Sequence, residues 1–150
     1  MTQDQTNRPA PHLLVAEDEL SVAALIEESL TDEGYRVTLT HDGAEAVEAL
    51  PGAEFDLLLT DVRMPRLDGV GLVRHVRDAR PGLPVIVLSG FMTPDAREEL
   101  RRLGVPNDRL LEKPLPFPEL HEAIRTALRA AAAEMAQRLA GKPDRDPEGA

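Results

Sequence analysis

Five side chains in this sequence have the types and positions to do chemistry together: Glu17, Asp18, Asp61, Ser89 and Lys113. Each follows a short apolar run, namely Leu13 to Ala16, Phe55 to Thr60, Val85 to Leu88 and Leu110-Leu111. Runs of this length bounded by turn residues read as strands buried on both faces. Open α/β sheets bind ligands beyond the carboxyl ends of their strands, so the five should converge on one edge. Three crowded carboxylates repel unless a cation joins them or their pKa values rise. Lys113 supplies one positive charge, and the remaining oxygens suit a hard divalent ion. Mg²⁺ takes only a few protein carboxylates and keeps several waters. With Mg²⁺ present the site has the parts for phosphoryl transfer. Asp61 is the nucleophile, since carboxylates form aspartyl phosphates. Mg²⁺ and Lys113 neutralise phosphoryl oxygens, and Ser89 donates to another. No residue reads as a dedicated general base, which suits carrying a phosphoryl group better than turning it over.

Alternating strand and helix patterns must position these residues. Leu20 to Glu33 places Val22, Ala23, Ile26 and Leu30 at helical spacing before Gly34. Tyr35 to Thr40 alternates and is β-branched, as suits an edge strand. Asp42 caps a short helix closed by Pro51-Gly52. Phe55 to Asp61 is the central strand, and Pro65 and Asp68-Gly69 then turn the chain into a helix over 69–79 with Val70, Leu72, Val73 and Val76 on one face. Pro84 to Leu88 is a fourth strand, and Thr93-Pro94 opens a helix that ends near Gly104. Arg109 to Glu112 is a short fifth strand. From Pro118 a long helix carries Leu120, Ile124, Leu128, Ala131, Met135 and Leu139. Five strands alternating with five helices and joined by short loops predict an α/β fold, a doubly wound, five-stranded parallel sheet. The organisation expected is a disordered lead-in over 1–11, one domain over 12–129, a helical extension over 130–140 and a disordered tail over 141–150.

At 150 residues the chain fits one domain, which buries about 70% of its unfolded surface. Without cysteine there is no disulfide framework, thiolate metal site or Cys nucleophile. Apolar runs are too short to cross a bilayer, and no leader pattern precedes His12, so a soluble cytoplasmic protein without membrane contact is expected. The net charge is −10, with 14 acids against Arg8 and Arg36 in residues 1–61. That balance argues against direct nucleic-acid binding, which needs phosphate-neutralising cations. Only Lys113 and Lys142 break an otherwise all-arginine usage, which singles out position 113 as wanting a compact ammonium. His12, His41, His75 and His121 lack ligand spacing and read as surface residues.

The chain resembles a response-regulator receiver domain of two-component signalling. The resemblance rests on Val15-Ala16-Glu17-Asp18-Glu19, Leu59 to Pro65 with Asp68-Gly69, Leu88-Ser89-Gly90 and Glu112-Lys113-Pro114. It spans residues 12–129 and implies a flavodoxin-like sheet of order 2-1-3-4-5. It further implies that Asp61 accepts phosphate from a histidine kinase or histidine phosphotransfer protein. Glu17, Asp18, Asp61 and the backbone carbonyl of Arg63 would hold Mg²⁺, Ser89 and Lys113 would read the phosphate, and the Lys113–Pro114 bond would be cis. Phosphorylation would then shift the surface of the fourth helix, fifth strand and fifth helix towards a downstream protein target. The sequence departs from the family at Leu110, where an aromatic switch residue is usual. Phe91, two residues beyond Ser89, is a candidate gate in its place, flanking the phosphoryl group opposite Arg63.

Taken singly, each motif also has a plain structural reading. Glu17 and Asp18 suit a helix's first turn, Ser89 before Gly suits a turn, and Lys113 suits a solvated loop. The apolar positions Met135 and Leu139, beyond the expected domain, suit either packing on the sheet or a homodimer seam. No second domain is expected in the residues that remain. The leading expectation is a stand-alone phosphorylatable switch rather than an enzyme. Its alternatives are a phosphorylation-independent interaction module and an Mg²⁺-dependent aspartyl-nucleophile phosphohydrolase. The latter usually needs a second acid where Arg63 stands.

Overall fold

The computed structural model describes residues 9–145, with side chains to residue 140. The elements are β1 (His12–Ala16), α1 (Leu20–Asp32), β2 (Arg36–Thr40), α2 (Gly43–Ala49), β3 (Leu57–Thr60), α3 (Gly69–Ala79), β4 (Val85–Ser89), α4 (Pro94–Arg102), β5 (Leu110–Glu112) and α5 (Phe117–Arg145), with single 3₁₀ turns at Leu50–Gly52 and Asn107–Arg109. All strand pairs are parallel, in the order β2-β1-β3-β4-β5. This is the doubly wound architecture that the alternating pattern predicts.

Residue alternation within the strands sets the two layers. Leu14 and Ala16 of β1, Leu58 of β3 and Val85 and Val87 of β4 face a core closed by Ala46, Leu72, Val73, Val76 and Leu100 from α2, α3 and α4. Their neighbours Leu13, Val15, Leu57, Leu59, Ile86 and Leu88 face Ile26 and Leu30 of α1 and Leu120, Ile124 and Ala127 of α5. Burying one such aliphatic side chain contributes about 1.5–3 kcal/mol, against about 0–1 kcal/mol for an exposed ion pair. The core therefore holds the strand ends in place, not the surface charges. Three helices start on side-chain caps. Asp42, Asp68 and Thr93 accept from the backbone N–H of Glu45 (2.8 Å), Gly71 (2.9 Å) and Ala96 (3.0 Å), each worth about 1 kcal/mol. Gly34 and Gly104, at φ 100° and 89°, end α1 and α4 in the left-handed conformation that glycine adopts freely.

Several expectations need correction. The last helix runs to Arg145, not 140, continuing from the helix-favouring Ala130 to Ala133 run through both Gly141 and Pro143. The tail expected from 141 is thus helical to 145, and 146–150 lie outside the described residues. Of the lead-in, 1–8 lie outside as well, while Ala10 and Pro11 are tied down, their carbonyls accepting from Arg36 Nε and Arg36 N at 2.9 Å. His121 is buried rather than exposed, because it sits on the α5 stripe facing α1, with Nε2 2.9 Å from Ser29 Oγ. His12 is half-buried, with Nε2 2.8 Å from Thr38 Oγ1 and its ring 4.6 Å from that of Phe55. His41 is half-buried too, and His75 is exposed as read. On α5 the buried stripe passes through Ala127, leaving Leu128 half-buried.

Candidate functional site

Strand register brings the predicted residues to one edge. Ala16 pairs with Thr60, and the ladder runs one residue further: Asp61 N donates to Ala16 O at 3.1 Å and Glu17 N to Thr40 O at 3.0 Å. Glu17 and Asp61 therefore leave adjacent strands at one level. On the other side Ser89 pairs with Glu112, and Lys113 N donates to Ser89 O at 2.9 Å. Lys113 thus enters the loop beside β4. The Lys113–Pro114 peptide is cis, as the resemblance implied.

The side chains meet where the backbone aims them. Lys113 Nζ donates to Glu17 Oε1 at 2.9 Å and to Asp61 Oδ2 at 3.0 Å. Glu17 and Asp61 are buried, at 3% and 8% exposure. Their other oxygens are also engaged: Glu17 Oε2 accepts from Glu19 N at 3.1 Å, and Asp61 Oδ1 from Val62 N at 2.6 Å. Asp18 stands exposed at the rim, with one oxygen of each of Glu17, Asp18 and Asp61 within 4.8 Å of the others. Burial pushes the Glu17 carboxyl above its ordinary value, against the pull of Lys113 and the Glu19 N–H. Burial works to lower Lys113, but its bonds to Glu17 and Asp61 outweigh it and raise the ammonium. Both shifts are upward but differ in origin: burial disfavours the charged form of Glu17, whereas the two carboxylates favour the charged form of Lys113. Three carboxylates against one ammonium leave two negative charges when all are ionised, and oxygen donors are what a hard divalent ion takes. The donor set fits Mg²⁺.

The remaining predicted residues line the same edge without joining this cluster. Ser89 is buried and its Oγ donates to Phe91 O at 3.0 Å, so the hydroxyl faces its own loop rather than Asp61. Arg63, whose carbonyl is the fourth candidate ligand, lies exposed two residues past Asp61, its guanidinium carbon 5.7 Å from the Phe91 ring centre. Phe91 itself is 59% exposed at the mouth. Leu110 is buried in the core layer shared with Leu100 and Val105, so the place of the usual aromatic is filled by aliphatic packing.

Supporting residues were not singled out by type or spacing. Thr60 Oγ1 donates to Asp61 O at 2.8 Å. Gly69 presses its backbone on Asp61: Gly69 N donates to Val62 O at 2.7 Å, and a Cβ there would fall 2.0 Å from Asp61 O. In sequence, Asp68-Gly69 signalled a turn and formed part of the resemblance, but neither gave Gly69 this contact with Asp61.

Comparison with known proteins agrees with this geometry. A family model described as the response regulator receiver domain matches residues 13–125. Response regulator MprA of Mycobacterium ulcerans (strain Agy99) is 37% identical over 117 residues, 78% of this chain and 50% of that protein. Transcriptional regulatory protein ZraR of Klebsiella oxytoca is 31% identical over 116 residues, 77% of this chain and 26% of the relative. The chain therefore spans half or less of the length of these curated relatives. Among solved structures, a response regulator receiver protein from Sinorhizobium medicae WSM419 superposes with TM-score 0.71 at 35% identity, covering 81% of this chain and 97% of that one. A CheY-like receiver domain protein from Methanospirillum hungatei JF-1 reaches TM-score 0.80 at 23% identity, covering 83% and 98%, and speaks for the fold alone.

Proposed function

The chain belongs to the response regulator receiver domain family, and from that premise we propose that Asp61 accepts a phosphoryl group in an Mg²⁺-dependent reaction. The observation that carries this reading is the bridge of Lys113 between buried Glu17 and Asp61, beside Asp18 at the rim. Glu17, Asp18, Asp61 and the Arg63 carbonyl are the residues to hold the ion. Bound there, Mg²⁺ supplies charge neutralisation for phosphoryl oxygens. An Asp61 carboxylate oxygen attacks phosphorus in line. The donor is a phosphohistidine of a histidine kinase or phosphotransfer protein, whose P–N bond breaks as the imidazole leaves. Lys113 then binds a phosphoryl oxygen, and Ser89 exchanges its bond to the Phe91 carbonyl for another. The protein is a carrier and switch rather than an enzyme acting on other molecules.

An apolar cavity of about 230 Å³ opens beside Lys113, lined by Val22, Leu25, Leu88, Pro114, Leu115 and Phe117. It supports docking of a protein donor rather than a free metabolite alone. The output is a downstream protein target, since the net charge of −10 opposes direct contact with nucleic acid. No helix among the described residues is long and apolar enough to cross a membrane. On α5, Met135 and Leu139 are 51% and 59% exposed and favour self-association there. Acetyl phosphate with Mg²⁺ is expected to label the wild-type protein and not Asp61→Asn, with labelling lost on chelation. Equal labelling of the two proteins refutes the reading.

A further inference from the structure

Arg66 is the one non-glycine residue with a left-handed backbone among the described residues, at φ 69°. A side chain other than glycine stays in that region only when its surroundings hold it there. Here the hold is a two-pronged ion pair: Arg66 Nε donates to Asp42 Oδ2 at 2.9 Å and Nη2 to Asp42 Oδ1 at 3.2 Å. The same Asp42 carboxylate accepts from Glu45 N at 2.8 Å and so is fixed as the cap of α2. One residue on, Gly43 N donates to Leu67 O at 3.0 Å, and a Cβ on Gly43 would fall 2.1 Å from that oxygen. The turn between β2 and α2 therefore grips the outer end of the loop that leaves Asp61. The inner end is closed by Gly69 N on Val62 O, and between the two only Met64 packs into the core.

We propose that the Asp42–Arg66 pair is a positioning clamp for the metal-binding loop, holding the Asp61–Arg66 stretch in the one conformation that offers its oxygens to a divalent ion. This rests on the reading that the acidic site takes Mg²⁺. Arg66 bonds to Asp42 rather than to Glu17, Asp18 or Asp61, so it is a positioning residue that acts through the loop. An arginine suits the task because its planar fork meets both carboxylate oxygens, where a lysine meets one.

Calorimetric titration of Mg²⁺ into the full chain tests the clamp directly. Arg66→Ala is expected to weaken binding about two- to fivefold, the range open to a partly exposed ion pair. Arg66→Lys should fall between Arg66→Ala and wild type. Arg66→Gly separates the clamp from the backbone, because glycine adopts φ 69° without strain and still loses the ion pair, so it should bind as weakly as Arg66→Ala. Asp42→Asn keeps an oxygen for the Glu45 N–H and loses the charge, and should weaken binding similarly even where an Arg66 variant folds poorly. Wild-type affinity in Arg66→Gly and Asp42→Asn overturns the clamp and leaves the Mg²⁺ reading standing. A wild-type protein that binds no Mg²⁺ overturns both.

Discussion

The two edges of the sheet use their cations differently. At the carboxyl-terminal edge Lys113 lies between two buried carboxylates, with a third acid at the rim, and the cluster keeps an excess of negative charge. At the amino-terminal edge the arginines bind neutral acceptors. Arg77 donates to Leu103 O at 2.6 Å and Leu83 O at 2.7 Å, and Arg80 to Leu50 O at 2.8 Å and Ala53 O at 3.1 Å. Each of these bonds ties a loop to the helix end beside it. Carbonyls accept a guanidinium without asking for a further ion, so this edge is a brace. A partly buried charge alone does not mark a functional site. An excess of one sign that the protein itself leaves unbalanced does.

That contrast can be broken in three places. Lys113→Ala leaves buried Glu17 and Asp61 without their partner, and removing one member of a buried pair costs about 3 kcal/mol. Urea unfolding should show this loss in chelator and recover part of it in saturating Mg²⁺, because an ion bound only to the folded state stabilises it. Arg77→Ala should cost about 2 kcal/mol through its lost charged hydrogen bonds, by the same amount with and without Mg²⁺. A Mg²⁺-sensitive loss at Arg77, or an insensitive one at Lys113, would erase the distinction between the edges. The smallest effect concerns pH. The hydrogen bond from Arg66, then the Glu45 N–H, holds the Asp42 carboxyl below its ordinary value. A carboxyl depressed on folding stabilises at neutral pH, and that contribution fades as pH falls from the unfolded value of about 3.9 through the folded one. The stability gap between wild type and Arg66→Ala should therefore be constant near neutrality and close in acid. A gap that persists once Asp42 is protonated would show that the guanidinium acts through packing instead.

The site was more legible than its supports. Strand ends are marked by where apolar runs stop, and parallel register then carries Glu17, Asp61 and Lys113 together, so their meeting follows from local pattern plus topology. The order of the strands came from resemblance, since pairing partners leave no local mark. Arg66 was unreadable for a different reason: a left-handed arginine is created by a partner 24 positions away, and nothing beside it announces Asp42. His121 misled likewise, because a polar residue on a buried stripe is explained only by Ser29 across the helix pair. Ser89 was read by place rather than by partner. Its position at the edge was legible, but its bond to the Phe91 carbonyl depends on how the following loop folds back.

The central claim is that Asp61, flanked by Lys113 and Ser89, is where a phosphoryl group is received with Mg²⁺ among the acids. A crystal structure of the full chain with Mg²⁺ and beryllofluoride, a phosphoryl mimic, tests it most directly. The account predicts the mimic on an Asp61 oxygen, Mg²⁺ held by Asp18, Asp61 and the Arg63 carbonyl with Glu17 bound directly or through water, and Lys113 and Ser89 both turned to the fluorines. A mimic bound elsewhere, or an Asp61 still held by Lys113 with no ion beside it, would contradict it.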